Sequence, residues 1–266
     1  SGNTSPRGAA STAAGDKVWV VDANKKVYVY NTAGTLLGSW TAGSLASNAV
    51  VEGIATNGTD VWIVDAQQDK VFRYSGAASR LSGSQNAASS FSLNSGNTGP
   101  KDIVTDGSNL WVINDAAADK VFKYTLTGSL VGSWTITGAG SAPTGITLDP
   151  SGGGQLWIVD NGTDRVYQFD NARSRSSGSQ SPSLSFALAA GNANPQGIAD
   201  PPARTSIASQ TERLAHHSRV SVAIDRSSRR AVALAAQSPL FEQDLIGLAT
   251  ELARANANRI KSVKRI

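Results

Sequence analysis

Cysteine and methionine are absent from these 266 residues, and histidine occurs only twice. Without cysteine there is no disulfide framework, no thiolate zinc site and no cysteine nucleophile. Charge is sparse as well. Only 17% of residues are Asp, Glu, Lys or Arg and 40% are hydrophobic, a balance too apolar for a wholly disordered chain. The 26 glycines follow no period of three, which excludes collagen. No apolar run approaches the ~18 residues that a membrane-spanning helix needs. The chain does not open on Met, and residues 1–15 lack the charged-then-apolar layout of an export signal, so a processed product or an excerpt is expected. A single all-β domain of roughly 200–250 residues is compatible with this length.

The net charge of +4 invites a nucleic-acid reading until it is placed along the chain. Residues 1–200 carry 13 Lys+Arg against 15 Asp+Glu, net −2, whereas residues 201–266 carry 11 against 5, net +6. The larger part therefore offers no basic stripe for a phosphate backbone. Every Trp and Tyr lies before Pro201–Pro202 and both His lie after it, so a boundary is set there.

What is present is a repeat. Asp16-Lys-Val-Trp-Val-Val-Asp22, Asp60-Val-Trp-Ile-Val-Asp65, Asn109-Leu-Trp-Val-Ile-Asn114 and Gln155-Leu-Trp-Ile-Val-Asp160 place Trp19, Trp62, Trp111 and Trp157 at spacings of 43, 49 and 46. Each segment leads, after a short polar stretch, to a basic residue and an alternating strand. These are Lys26-Val-Tyr-Val-Tyr30, Lys70-Val-Phe-Arg-Tyr74, Lys120-Val-Phe-Lys-Tyr124 and Arg165-Val-Tyr-Gln-Phe169. Shorter apolar strands precede three of them, at Gly53–Gly58, Asp102–Gly107 and Gly145–Pro150, and a further copy of that strand, Gly197–Asp200, ends the series.

A fourth strand comes in two alternating styles. Leu37-Gly-Ser-Trp40 matches Val131-Gly-Ser-Trp134. Ser90–Leu93 matches Ser185–Leu188, each with a Ser-Gly-Ser-Gln upstream. Four short strands per unit, the inner ones β-branched and continuous, describe a blade of a β-propeller. Runs of four or five β-branched residues closed by Asn-Gly and Asp-Gly turns argue against helix.

The pattern Gly-Ile-x-x-[Asp/Asn], Leu-Trp-Ile-Val-Asp, Arg-Val-Tyr-x-Phe resembles the NHL-type six-bladed propeller repeat and the wider set of bacterial surface and lyase-like propellers, over about residues 9–200. The resemblance implies an all-β propeller of four-stranded blades, and implies little about function, because such rings host binding modules, lyases and lactonases alike. Asp22, Asp65 and Asp160, with Lys26, Lys70 and Arg165, match the acidic and basic signature positions of that family. The third repeat departs from it with Asn114 in the acidic place, ahead of Lys120. An Asp that ends one strand and a Lys or Arg that opens the next are expected to pair across the turn and to accept backbone N–H groups. Such pairs are structural, each contributing ~0–1 kcal/mol if exposed.

Four blades are visible, and the first lacks an opening strand. Either Gly197–Asp200 pairs into the first blade and four blades close by strand exchange, or these are four blades of a larger ring. An incomplete or atypical ring is the expectation.

Chemistry is poorly supplied. His216 and His217 lie outside every repeat, Glu52 is the only Glu within them, and no Gly-x-Ser-x-Gly elbow occurs. Asp160-Asn-Gly-Thr-Asp164 lacks the spacing and closing Glu of a calcium loop, and Asn57-Gly-Thr59 and Asn161-Gly-Thr163 read as turns before they read as glycosylation acceptors. Tyr28, Tyr30, Tyr74 and Tyr124 are expected to pack between blades. No catalytic, cofactor or metal residue is assigned. The expected function is a non-catalytic binding or structural module that presents loops to a protein, peptide or glycan. The alternative is a lyase or hydrolase of the streptogramin-lyase or gluconolactonase type, for which acidic residues in the central channel would speak. Ser/Thr/Asn/Gly richness fits a secreted or cell-surface bacterial protein. Beyond residues 1–200, the basic stretch 201–237 reads as poorly ordered, and Ser238–Pro239 opens an amphipathic helix over 238–266, with Phe241, Leu245, Leu248 and Leu252 in one stripe.

Overall fold

β-Branched and aromatic residues separated by tight turns build four mainly antiparallel blades in the computed structural model, which describes residues 2–11, 15–149, 152–199 and the strands 221–225 and 230–234. Blade one holds β1 (Pro6–Ser11), β2 (Lys17–Asp22), β3 (Lys26–Asn31) and β4 (Leu36–Ala42). Blade two holds β5 (Val51–Thr56), β6 (Val61–Asp65) and β7 (Lys70–Tyr74). After β7 the chain forms a short strand β8 (Ser84–Gln85) before returning to blade two as β9 (Ser89–Ser92). Blade three holds β10 (Pro100–Thr105), β11 (Asn109–Asn114), β12 (Lys120–Thr125) and β13 (Leu130–Ile136). Blade four holds β14 (Pro143–Leu148), β15 (Leu156–Asp160) and β16 (Arg165–Phe169), then a short β17 (Ser179–Gln180), then β18 (Leu184–Ala187). This order of four-stranded blades is a β-propeller.

The two Ser-Gly-Ser-Gln motifs acquire a role here. β8 pairs in parallel with β4 of blade one, and β17 with β13 of blade three, so each even blade adds a strand to the outer edge of the odd blade before it. Arg80 Nε donates to Gln85 Oε1 at 2.7 Å, and Arg175 Nε to Gln180 Oε1 at 2.8 Å, fixing both loops alike. Gly38 and Gly132 are required by the crossing, because a β-carbon at either would collide with the carbonyl of Leu81 or Ser176. The molecule is thus two coupled pairs of blades, which explains why the outer strand alternates in style.

The core lies between blades. Trp19, Val21 and Trp40 of blade one pack on Val61, Ile63, Phe72 and Tyr74 of blade two. Trp62 and Val64 pack on Leu110, Val112, Phe122 and Tyr124 of blade three. Trp111, Ile113 and Trp134 pack on Leu156, Ile158, Tyr167 and Phe169 of blade four. Each fully buried large apolar side chain contributes roughly 1.5–3 kcal/mol, so these interfaces dominate stability. Trp19, Trp62 and Trp111 are buried while Trp157 is half-buried; Tyr74 and Tyr124 are buried between blades as expected, whereas Tyr28 is buried and Tyr30 half-buried on the face of blade one that no described blade covers.

Two expectations about the ring are corrected. The first blade does have an opening strand, β1, antiparallel to β2, and so residues 197–199 of the segment expected to complete it do not pair into that blade. Residues 195–199 instead lie between β14 and β1. A β-carbon on Gly145 would stand 2.7 Å from Gly197 Cα, and one on Gly197 would stand 3.6 Å from Gly8 Cα. Among the described residues there are therefore five inner segments around the axis and four complete blades.

The chain divides into the units Ser1–Ala203 and Arg204–Ile266. In the second unit an antiparallel pair, β19 (Ser221–Asp225) and β20 (Arg230–Leu234), is described, within the stretch 201–237 for which composition suggests poor order. The helix expected over 238–266, and both His, lie outside the described residues.

Candidate functional site

The inner strands share one irregularity. The register of β1, β5, β10 and β14 shifts at the same place, passing over Arg7, Glu52, Lys101 and Thr144. A β-bulge re-aims the side chain it releases. Together with Gln196 on the fifth inner segment, these four residues line one mouth of the channel, a cavity of about 190 Å³ completed by Asp115, Ala142 and Asn161. In four copies they immediately precede the Gly-Ile or Asp-Ile of the inner segment, and in the first Arg7 precedes Gly8-Ala9.

The ion pairs at this mouth are long. Arg7 Nη1 lies 4.0 Å from Glu52 Oε2 and Lys101 Nζ lies 3.9 Å from Asp115 Oδ2. By contrast Arg173 grips Asp106 through two nitrogens at 2.8 and 3.2 Å, and Arg73 holds Asp60 likewise. The mouth cations are half-open to solvent, with side-chain exposures of 38% for Arg7 and 32% for Lys101, while Glu52 beneath them is at 15%. Burial pushes the Glu52 carboxyl above its ordinary value, and Lys101 and Arg7 oppose that rise without cancelling it. On the polar side Thr144 Oγ1 donates to Pro195 O at 2.8 Å, and Asn161 and Gln196 amides converge on Asn194 Oδ1 at 2.8 and 2.7 Å. The mouth thus offers two loosely committed cations, two carboxylates and several amide and hydroxyl groups within one small cavity.

Directly below, the axis narrows at Gly8, Gly53, Gly145 and Gly197, where successive backbones nearly touch. Blade three has Asp102 in that place. It is 1% exposed; Oδ1 accepts the Ile103 amide at 2.8 Å and Oδ2 the Ile146 amide of blade four at 2.9 Å. Burial raises this carboxyl well above the usual carboxylate range against the pull of both amides, and Glu52 adds to the rise. Past the constriction a second cavity of about 250 Å³ opens at the opposite mouth, with Asp106 and Arg173 among its lining residues.

The repeat-signature residues sit apart from this cavity. Asp22, Asp65, Asn114 and Asp160 are buried and act as backbone staples. Asp22 accepts Ser5 and Asn24 amides at 2.7 and 2.9 Å, and Asp65 Oδ1 accepts Val50 and Gln67 amides, both at 2.9 Å. Asn114 Oδ1 accepts the Gly99 amide at 2.8 Å, and Asp160 accepts those of Ala142 and Thr163, both at 2.8 Å. Each side chain thereby ties the segment entering the inner strand to its blade, and in blades one, two and four also the turn that follows it. No ion pair within 4.0 Å joins these acids to Lys26, Lys70 or Arg165 among the described residues, so the expected pairing across the turn is replaced by backbone amides. The physical reason is that a buried carboxylate gains more from fixed N–H donors than from a flexible cation at the surface. Asn57 likewise serves its turn, accepting the Thr59 and Asp60 amides at 3.0 and 2.8 Å.

Among the described residues no group of three or more His, Cys, Asp or Glu side chains is placed to hold a metal ion. In the sequence Glu52 stands out only as the lone Glu of the repeats, and Arg7, Lys101, Thr144 and Gln196 do not stand out at all. A signal existed, since the position before each Gly-Ile or its counterpart is polar in all five copies.

The sheet order and the axial channel define the class of this molecule as a β-propeller. No family model matches the chain, and no curated protein matches it. Among solved structures it is similar to Myxococcus xanthus glutaminyl cyclase, with 11% identity and a TM-score of 0.50, over 89% of this chain and 88% of that one. It is also similar to a chain of a nidogen/laminin complex, with 20% identity and a TM-score of 0.49, over 73% and 68%. A chain of Kuenenia stuttgartiensis hydrazine synthase follows, with 14% identity and a TM-score of 0.45, over 71% and 50%. At these identities the likeness concerns the fold alone. The first of them agrees with the architecture described above.

Proposed function

We propose that this chain is a non-catalytic binding module of NHL-like blade pattern that holds a polar, charged segment of a protein, peptide or glycan at the mouth formed by Arg7, Glu52, Lys101, Thr144 and Gln196. The observation that carries this reading is the convergence of five polar side chains, one per inner segment and four of them released by bulges, with cations whose ion pairs are long enough to be exchanged for a ligand. Charged groups held only at 3.9–4.0 Å lose little when a ligand replaces their partner, whereas the tight Arg73–Asp60 and Arg173–Asp106 pairs serve the fold. A secreted or surface-exposed bacterial setting belongs to the same proposal and rests on composition. Peptide and glycan arrays probed with the full chain and with an Arg7→Glu, Lys101→Glu variant test it: binders lost in the variant, with unchanged circular dichroism, support the mouth as the site. Binders retained in the variant overturn it.

One observation favours a second reading. Glu52 and Asp102 are acidic groups inside the channel, both raised by burial, and a perturbed carboxyl beside two cations is the arrangement that proton transfer uses. A lyase or hydrolase would then employ Glu52 to hold or deliver the proton and Arg7 and Lys101 to hold a substrate oxyanion. Turnover of ester, lactone or uronide substrates that disappears in Glu52→Gln while ligand affinity persists would select it.

A further inference from the structure

We propose that the open side of blade four is a docking surface for a three-stranded β-segment of the odd-blade pattern, donated by another polypeptide. It continues a series that the molecule already contains three times. The outer aromatic of each blade seats on an aromatic of the next: Trp40 on Tyr74 at 5.2 Å, Phe91 on Tyr124 at 5.9 Å, Trp134 on Phe169 at 5.3 Å. The fourth member, Phe186, stands 6.3 Å from Trp157 of its own blade and is 48% exposed, beside Leu184 at 52%. Trp157 and Leu188 are half-buried where their counterparts Trp62 and Leu93 are buried.

The other wall of the slot is partly open, with Tyr28 buried beside Gly2 and Asn24. Val18 and Val20 of blade one are half-buried, although the equivalent Val61 and Ile63, Leu110 and Val112, and Leu156 and Ile158 are all buried under a preceding blade. Gly128, in the turn of blade three, receives the ring of Phe91; its counterpart Gly34 has nothing within 4 Å of where a β-carbon would sit. Between the walls the inner position is taken by residues 195–199, which are not paired into any of the described sheets. The slot therefore has its innermost segment in place; among the described residues Gly2 and Asn3 stand against Tyr28 and Tyr30 at the blade-one wall, while the blade-four wall is open at Leu184 and Phe186.

The alternation of blade styles identifies the occupant. Even blades are followed by odd ones, so the face that fits Phe186 is one like that of blade three, with aliphatic residues in the places of Leu110 and Val112, an aromatic in the place of Tyr124 and a glycine turn in the place of Gly128. A second whole copy fits less well, because the receiving face it offers among the described residues, on blade one, is partly covered by Gly2 and Asn3 and is joined to its own blade two, which would meet the opposite wall of the slot.

The test uses the full chain and, as partner, residues 109–136 of this chain fused to a soluble carrier. Saturable binding is expected, weakened about tenfold or more by Phe186→Asp or Leu184→Asp, consistent with loss of a buried apolar side chain. It is expected to be unchanged by Leu130→Asp, a 45% exposed site on blade three. All three positions are exposed, so circular dichroism should not change. Absence of saturable binding, or equal binding by the Phe186→Asp protein, overturns the proposal. So does concentration-dependent dimerisation of the full chain that Phe186→Asp abolishes, which would make a second copy the occupant.

Discussion

Asp102 Oδ2 accepts the amide of Ile146 at 2.9 Å, so a buried carboxyl of blade three ties the inner strand of blade four to the axis at the one place where the other inner segments carry glycine. Burial holds that carboxyl well above its ordinary value. A group whose folded pKa is raised favours the fold while protonated; its contribution is complete below the ordinary carboxylate pKa and is lost as pH rises through the raised value. The wild type should therefore lose stability relative to Asp102→Asn as pH increases, since Asn keeps an acceptor without the ionisation. Melting curves from about pH 4 to pH 9 check this; a difference in Tm between the two proteins that is flat across that range argues against it. Asp102→Ala should be worse than Asn throughout, because an amide left buried without an acceptor costs about 1–3 kcal/mol.

The staple residues make a second, separable prediction. Asp65→Ala removes the acceptor of the Val50 and Gln67 amides and should cost about 1–3 kcal/mol in chemical denaturation. Asp65→Asn should cost less than about 1 kcal/mol, since Asn114 takes the Gly99 amide in blade three in the same manner. Ligand binding at the channel mouth should survive both changes. Loss of binding with unchanged stability would move Asp65 into the site.

Coupling of the blades in pairs predicts that Gly38→Ala and Gly132→Ala act alike. A β-carbon at either position collides with the carbonyl of the incoming strand, and overpacking of this kind costs roughly 1–3 kcal/mol. In Gly38→Ala the Ser39, Thr41 and Gly43 amides, which donate to Leu81, Gly83 and Gln85, should exchange with solvent faster. Exchange rates unchanged at those three amides would show that the parallel strand does not depend on the glycine.

The two outer phenylalanines occupy equivalent positions in sequence and unlike surroundings in space. Phe91→Ala should cost roughly 2 kcal/mol, below the 3–5 typical of a fully buried ring, while Phe186→Ala should stay within about 0.5 kcal/mol. Equal losses would mean that blade four is covered as fully as blade two.

Most strands of the four blades were legible because their signals are local. A run such as Val61–Asp65 with an Asn-Gly turn before it states both its conformation and its ends within a few residues. The Trp spacing likewise announced the repeat. β1 escaped notice because Pro6-Arg-Gly-Ala-Ala-Ser11 has no β-branched residue and becomes a strand through pairing with β2. The mouth escaped for a related reason: Arg7, Glu52, Lys101, Thr144 and Gln196 share a position but not a residue type, so a search for like residues passes over them.

Hydrophobic period and turn chemistry, which act between neighbours in the chain, were enough to determine the blade, its repetition and the alternation of its outer strand. Closing those blades around an axis was a matter for tertiary structure alone. Whether a buried face meets a partner, as at Phe91, or solvent, as at Phe186, depends on which blade stands next to it in the ring. Identical motifs contain no record of that arrangement, because packing energy is set by surfaces brought together from positions tens of residues apart.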